Sequence, residues 1–147
     1  MNKNELIDFL NNIFKPLGFK KKSSNWYYEN DELIKKINLQ RSQYGNYYYI
    51  NYGYIIKNLD LDVLDMHIYY GVATSNKDEN LRIEGLLNLD NNIPDEIRKV
   101  ELTDVLNKLL IDISSINTEE DILNILKERD NLNSIPLVVQ RHFNLET

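Results

Sequence analysis

The sequence predicts an α+β fold: an antiparallel sheet of four to five strands, with an N-terminal helix and two or three C-terminal helices packed on one face. Three observations predict it. All ten tyrosines lie between residues 27 and 70, and aromatic residues favour pleated, half-buried strands. Apolar residues recur at helical spacing on both sides of that stretch and at period two within it. The connections between strand candidates are short, which favours antiparallel pairing. Strands followed by helices, with no separating linker and no internal repeat, suit one layered domain over residues 1–147.

Residues 4–15 carry Leu6, Phe9, Leu10, Ile13 and Phe14 at helical spacing, with Asn4 as the candidate cap. Pro16 and Gly18 stop that helix. Phe19 to Lys22 reads as extended or loop. Trp26 to Glu29 is β-prone, and Asn30-Asp31 supplies a turn. Leu33 to Arg41 is a longer strand, ended by the turn signal Tyr44-Gly45-Asn46. Tyr47 to Ile56 is the strongest strand, and Asp65 to Val72 is another. The polar run Ser75 to Asn80 reads as a hairpin loop, leading into a fifth strand over Leu81 to Leu89 that Gly85 weakens.

The last third is helical. Pro94 stands at a helix start, with Asp95 and Glu96 in the first turn, where the helix dipole favours anions. Ile97, Val100, Leu102, Val105, Leu106, Leu109 and Leu110 supply its apolar stripe. Thr118 and Asp121 form a capping box for a second helix carrying Ile122, Leu123, Ile125 and Leu126. Ser134 and Pro136 introduce a short final helix with Val138, Val139 and Phe143.

Alternation along the strands sorts the sheet into two faces. Tyr48, Ile50, Tyr52, Tyr54 and Ile56 fall with Leu33, Ile37 and Leu39, and with Met66, Ile68, Tyr70 and Val72. That set faces the helices. Lys36, Asn38, Gln40, Tyr49, Asn51, His67 and Tyr69 fall on the other face and are the candidate binding residues. Tyrosine offers stiff contact area with a polar tip, and Asn and Gln offer paired donors and acceptors. The same alternation also describes any antiparallel sheet with one wet face.

Charge and composition narrow the function classes. The formal net charge is -6, split as +3 over residues 1–60 and -9 over residues 61–147. An acidic C-terminal half disfavours a broad nucleic-acid footprint and suits a basic partner. There is no cysteine, which excludes a disulfide framework or a thiolate metal site and fits a reducing cytoplasm. No apolar run has the length of a membrane helix, and the N-terminus does not read as a signal peptide. The five glycines are isolated, so no phosphate-binding loop or dinucleotide fingerprint is present. No cofactor is expected.

The chemistry available is sparse. Asp65 and His67 stand two apart on one strand, so an oriented general base is conceivable, with Glu84 as a third group for a metal. A lone strand histidine beside an acid is more commonly structural. His142 reads as a surface or packing residue. Lys20, Lys21 and Lys22 beside Trp26, Tyr27 and Tyr28 suit contacts to single-stranded nucleic acid; they equally suit a sheet edge guarded by lysines.

Four segments occur in a recognisable order: Lys15 to Lys22 (KPLGFKKK), Trp26-Tyr27, Ile37 to Gly45 (INLQRSQYG), and Tyr49 to Gly53 (YINYG). Over residues 5–75 the chain resembles the bacterial family catalogued as domain of unknown function 4304. The resemblance implies a small domain in which a helix leads into an antiparallel sheet. It carries no established activity, but it suggests an immunity or accessory role in bacterial toxin systems. The expected function is therefore a non-enzymatic protein-binding module, such as an immunity-type toxin inhibitor with a basic toxin domain as partner. Two alternatives stay open: a small-molecule binder or enzyme on the polar-aromatic face, and a single-stranded nucleic-acid binder through Lys20 to Trp26.

Overall fold

A computed structural model describes residues 1–72, 76–129 and 131–145. The first helix, α1 (Lys3–Phe14), starts one residue earlier than its apolar pattern suggests. Its cap is Asn2, not Asn4. Asn2 Oδ1 accepts the Glu5 N–H at 2.9 Å while Glu5 Oε1 accepts the Asn2 N–H at 3.2 Å. This reciprocal pair satisfies two orphan donors of the first turn. A 3₁₀ turn over Lys15–Leu17 follows, and Gly18 reverses the chain at φ 97°, a region that glycine enters without steric cost.

Five strands then form one antiparallel meander in sequence order: β1 (Lys20–Lys22), β2 (Asn25–Glu29), β3 (Leu33–Arg41), β4 (Tyr48–Ile56) and β5 (Ile68–Gly71). The lysine triplet is thus a strand, not a loop. It lies at the sheet edge with all three residues exposed, where charge blunts edge-to-edge pairing. Leu33 pairs with Ile56, Ile37 with Tyr52 and Leu39 with Ile50, so the apolar set lines up across the sheet. Trp26 from β2 joins it with no exposed surface, edge-on to Phe14 of α1, its indole N–H donated to Asn11.

Past β4 the chain departs from expectation. The strand expected from Asp65 begins only at Ile68. Asp62 takes a left-handed φ of 56°, and the chain bends at His67 before entering β5. The stretch expected as a hairpin loop and fifth strand is a helix, α2 (Lys77–Leu87). Asn76 caps it by accepting the Glu79 N–H, Asp78 and Glu79 complement the dipole, and Ile83, Leu86 and Leu87 make its buried face. Ser75 lies outside the described residues. Helix α2 closes on the flank of β4 beyond the end of β5: Asn88 bridges Tyr47, and the Leu89 N–H donates to the Asn46 carbonyl at 2.9 Å.

Helices α3 (Asp95–Ser114), α4 (Glu119–Lys127) and α5 (Leu137–His142) complete the layer on the apolar face. The Thr118–Asp121 capping box forms as expected. The α3 stripe needs one correction. Ile97 and Val100 are exposed, and the buried face is Arg98, Leu102, Val105, Leu106, Leu109 and Ile113. Tyr48 and Tyr54 are buried in the core, and Tyr52 and Tyr70 stack at its margin with ring centroids 5.4 Å apart. Desolvation, with the Asp112 carboxylate adding to it, pushes the Tyr52 phenol up to about 12.

Candidate functional site

The face of the sheet turned away from the helices carries three cross-strand rows. Asn25, Asn38, Asn51 and Gly71 stand in register, one from each of β2 to β5. Tyr27, Lys36, Gly53 and Tyr69 make the next row, and Gln40 pairs with Tyr49. Extended backbone sends every second side chain to the same side, so this polar cluster follows from strand pairing alone.

The asparagine row is hydrogen-bonded throughout. Asn38 Nδ2 donates to Asn25 Oδ1 at 2.7 Å. Asn51 Nδ2 donates to Asn38 Oδ1 at 3.2 Å and to Gln40 Oε1 at 3.0 Å. The Tyr69 hydroxyl donates to Asn51 Oδ1 at 2.6 Å. Asn51 is buried and uses both of its N–H groups, so it is the hub that holds Gln40, Asn38 and Tyr69 in place. Such a satisfied buried network specifies one arrangement of its members.

Around this hub the face is open. Tyr49 is 45% exposed and Tyr69 56%. The Tyr49 ring meets Tyr47 edge-on at 5.8 Å, and Lys36 Nζ lies 5.6 Å from the Tyr27 ring centroid. Desolvation, reinforced by the Tyr47 phenol, raises the Tyr49 phenol above its ordinary value. Two solvent-open clefts flank the Gln40–Asn51–Tyr69 bridge. One, of about 360 Å³, runs between Lys36, Asp65 and Met66. The other, of about 400 Å³, lies between Tyr49 and Glu84 of α2.

Lys36, Asn38, Gln40, Tyr49, Asn51 and Tyr69 therefore share one surface, and His67 does not. Its side chain is 1% exposed. Nδ1 accepts the Ile56 N–H at 2.9 Å, and Nε2 lies 2.9 Å from the Asp60 carbonyl. A backbone N–H can only donate, so the ring proton sits on Nε2 and is given to Asp60. The bend before β5 reverses the expected parity: His67 turns into the β4–β5 connection, and Met66 comes over Gly53 on the polar face. With both ring nitrogens engaged by backbone, His67 is a brace for that connection rather than a general base or ligand beside Asp65 and Glu84. Among the described residues, no group of three or more His, Asp or Glu side chains is placed to hold a metal. His67→Leu is expected to cost about 2–3 kcal/mol in equilibrium denaturation, because a buried N–H and a carbonyl lose their partners.

Sequence parity overlooked Asn25 and Tyr27, which belong to the same surface through the β2–β3 pairing. Period two from Asn38 and Lys36 would have found neither, because the β2 register depends on the turn at Asn30. That turn is set by Asn30 Oδ1, which accepts the N–H groups of Glu32 and Leu33. Of the aromatics beside the lysine triplet, the Trp26 ring is enclosed by the core, whereas Tyr28 is exposed and Tyr27 pairs with Lys20 across β1 and β2.

A family model described as Domain of unknown function (DUF4304) matches residues 10–128, which include every strand and the polar face. No curated protein and no solved structure matches the chain.

Proposed function

Because this chain belongs to the DUF4304 family, whose description names no activity, we propose from its own geometry that it is a non-enzymatic protein-recognition module that docks its partner on the polar-aromatic face. The observation that carries this reading is the pair of exposed phenols on β4 and β5, Tyr69 held by its hydrogen bond to Asn51 and Tyr49 set edge-on against Tyr47. Exposed, pre-positioned tyrosines supply large contact area at low entropic cost. The flanking clefts, of about 400 and 360 Å³, open onto the same face and can receive protruding side chains of a partner. The expectation of a toxin–immunity role makes basic toxin domains the first partners to assay, with a cytoplasmic setting assumed.

Capture of partners from the native host, followed by titration of the isolated pair, tests the proposal. Tyr49→Ala and Tyr69→Ala should each weaken binding by roughly tenfold or more, the scale of an aromatic hot spot. Val100→Ala, on the exposed side of α3, should leave affinity unchanged. A partner whose affinity ignores both tyrosine variants, or the absence of any protein partner, would remove the basis for this reading.

A further inference from the structure

The opposite side of the molecule holds a second feature, independent of the polar face. Between the end of α1, the outer strands and the last turns of α3 runs a groove of about 830 Å³. Its walls are mostly apolar, with Leu17 and Phe19 on one side, Leu110 and Ile111 on the other and Tyr28 between them, while Asn107 and Ser114 of α3 add polar groups. Leu17 and Ile111 are exposed, so two large aliphatic side chains stand at its rim.

A cation lies at its floor. Lys35 shares the parity of Leu33 and Ile37, so its side chain points to the helices and is 5% exposed. Lys35 Nζ donates to Asn117 Oδ1 at 2.8 Å and lies 5.6 Å from the Tyr28 ring centroid. No carboxylate among the described residues approaches it within ion-pair distance. Asp121 acts on it only at longer range, and its Oδ2 already accepts the N–H groups of Asn117 and Thr118. An ammonium has three N–H donors and is costly to bury without a counter-charge. Burial lowers the Lys35 pKa, with Asp121 offsetting part of that effect.

We propose that this groove binds a small amphiphilic anion, with an aliphatic or aromatic body between Leu17 and Ile111 and a carboxylate head on Lys35 Nζ. The volume falls in the range of ligand pockets, and apolar walls with one charged anchor are their usual chemistry. A carboxylate head would supply the counter-charge that Lys35 lacks within ion-pair distance, and a second acceptor beside Asn117 Oδ1. A cationic or neutral amphiphile would supply neither.

Dodecanoate, dodecanol and dodecyltrimethylammonium, each below its micellar concentration, test this by calorimetry on the full chain. Dodecanoate should bind saturably at one site, and the other two should bind at least about tenfold more weakly. Lys35→Met should abolish that preference while retaining the weak binding of dodecanol. Ile111→Glu, at an exposed position that leaves the core untouched, should weaken dodecanoate by a similar factor through a carboxylate at the rim. No saturable dodecanoate binding up to about 1 mM, or equal binding of all three amphiphiles, overturns the proposal. So does concentration-dependent dimerisation that Ile111→Glu abolishes, since a second copy would then be the occupant. Because none of these variants touches Tyr49 or Tyr69, the outcome is separable from that of the polar face.

Discussion

Gly53→Ala should be the most damaging single substitution in the sheet, costing more than about 4 kcal/mol or preventing folding altogether. Gly53 sits mid-strand in β4, paired with Lys36 on one side and Tyr69 on the other. A Cβ there would come 1.9 Å from the Ile68 carbonyl oxygen and 2.7 Å from the Met66 sulfur. Methionine can move, but the Ile68 carbonyl belongs to the backbone of β5. Relief would require lifting β5 from β4, which breaks their ladder and withdraws Tyr69 from Asn51. Overpacking that cannot be absorbed by a rotamer change is the severe kind. The matched control is Gly71→Ala, whose Cβ would meet nothing within 4 Å. It should change stability by no more than about 0.5–1 kcal/mol. Urea denaturation of the two variants decides the matter, and a mild Gly53→Ala would mean that β5 is not seated as described.

Arg98→Met is expected to cost about 3 kcal/mol. Arg98 is 1% exposed within the apolar stripe of α3. Its Nη1 donates to the Leu86 and Asn88 carbonyls, and its Nη2 donates to the Asn91 carbonyl at 2.9 Å. The guanidinium thus gathers the last carbonyls of α2 and those of the turn that follows, groups that a helix end leaves without partners. Replacing a buried charge by a hydrophobe can be harmless when its partner goes too. Here the carbonyls stay, and methionine cannot donate to them. Lysine should rescue little, because one ammonium cannot reproduce the planar fork. Since Glu84 and Leu87 of α2 line the cleft beside Tyr49, Arg98→Met should also weaken a partner that reaches that cleft. Denaturation curves combined with partner titration separate the two effects.

The parts of this fold that were legible in the sequence are those governed by short-range rules. Period-two alternation in Leu33 to Arg41 and Tyr48 to Ile56 assigned both faces correctly, because each strand pairs along its whole length and has no bulge. Capping at Thr118 and the stop at Pro16 and Gly18 are equally local. Errors arose where local signals were ambiguous. Leu81 to Leu89 is short, contains a glycine and satisfies both strand and helix spacings, so only the contacts of Ile83, Leu86 and Leu87 with the core distinguish them. Arg98 follows the same logic: its charge argued for solvent, although its spacing from Leu102 and Val105 placed it in the stripe.

For the candidate surface the division is sharper. Alternation within each strand separated Lys36, Asn38 and Gln40, Tyr49 and Asn51, and Tyr69 from their apolar neighbours, and the β3–β4–β5 pairing brought these sets to one side. The sequence by itself also determined that this side is polar and the other apolar. It could not determine that Asn25 extends the asparagine row, that His67 turns inward at a bend, or that Lys35 lies buried at the floor of an apolar groove. Those three depend on strand register, on the left-handed residue Asp62 ahead of the bend, and on the approach of α3 to the sheet. Each is a contact between residues far apart in the chain, settled by which surfaces exclude water together and not by any local preference of the residues involved.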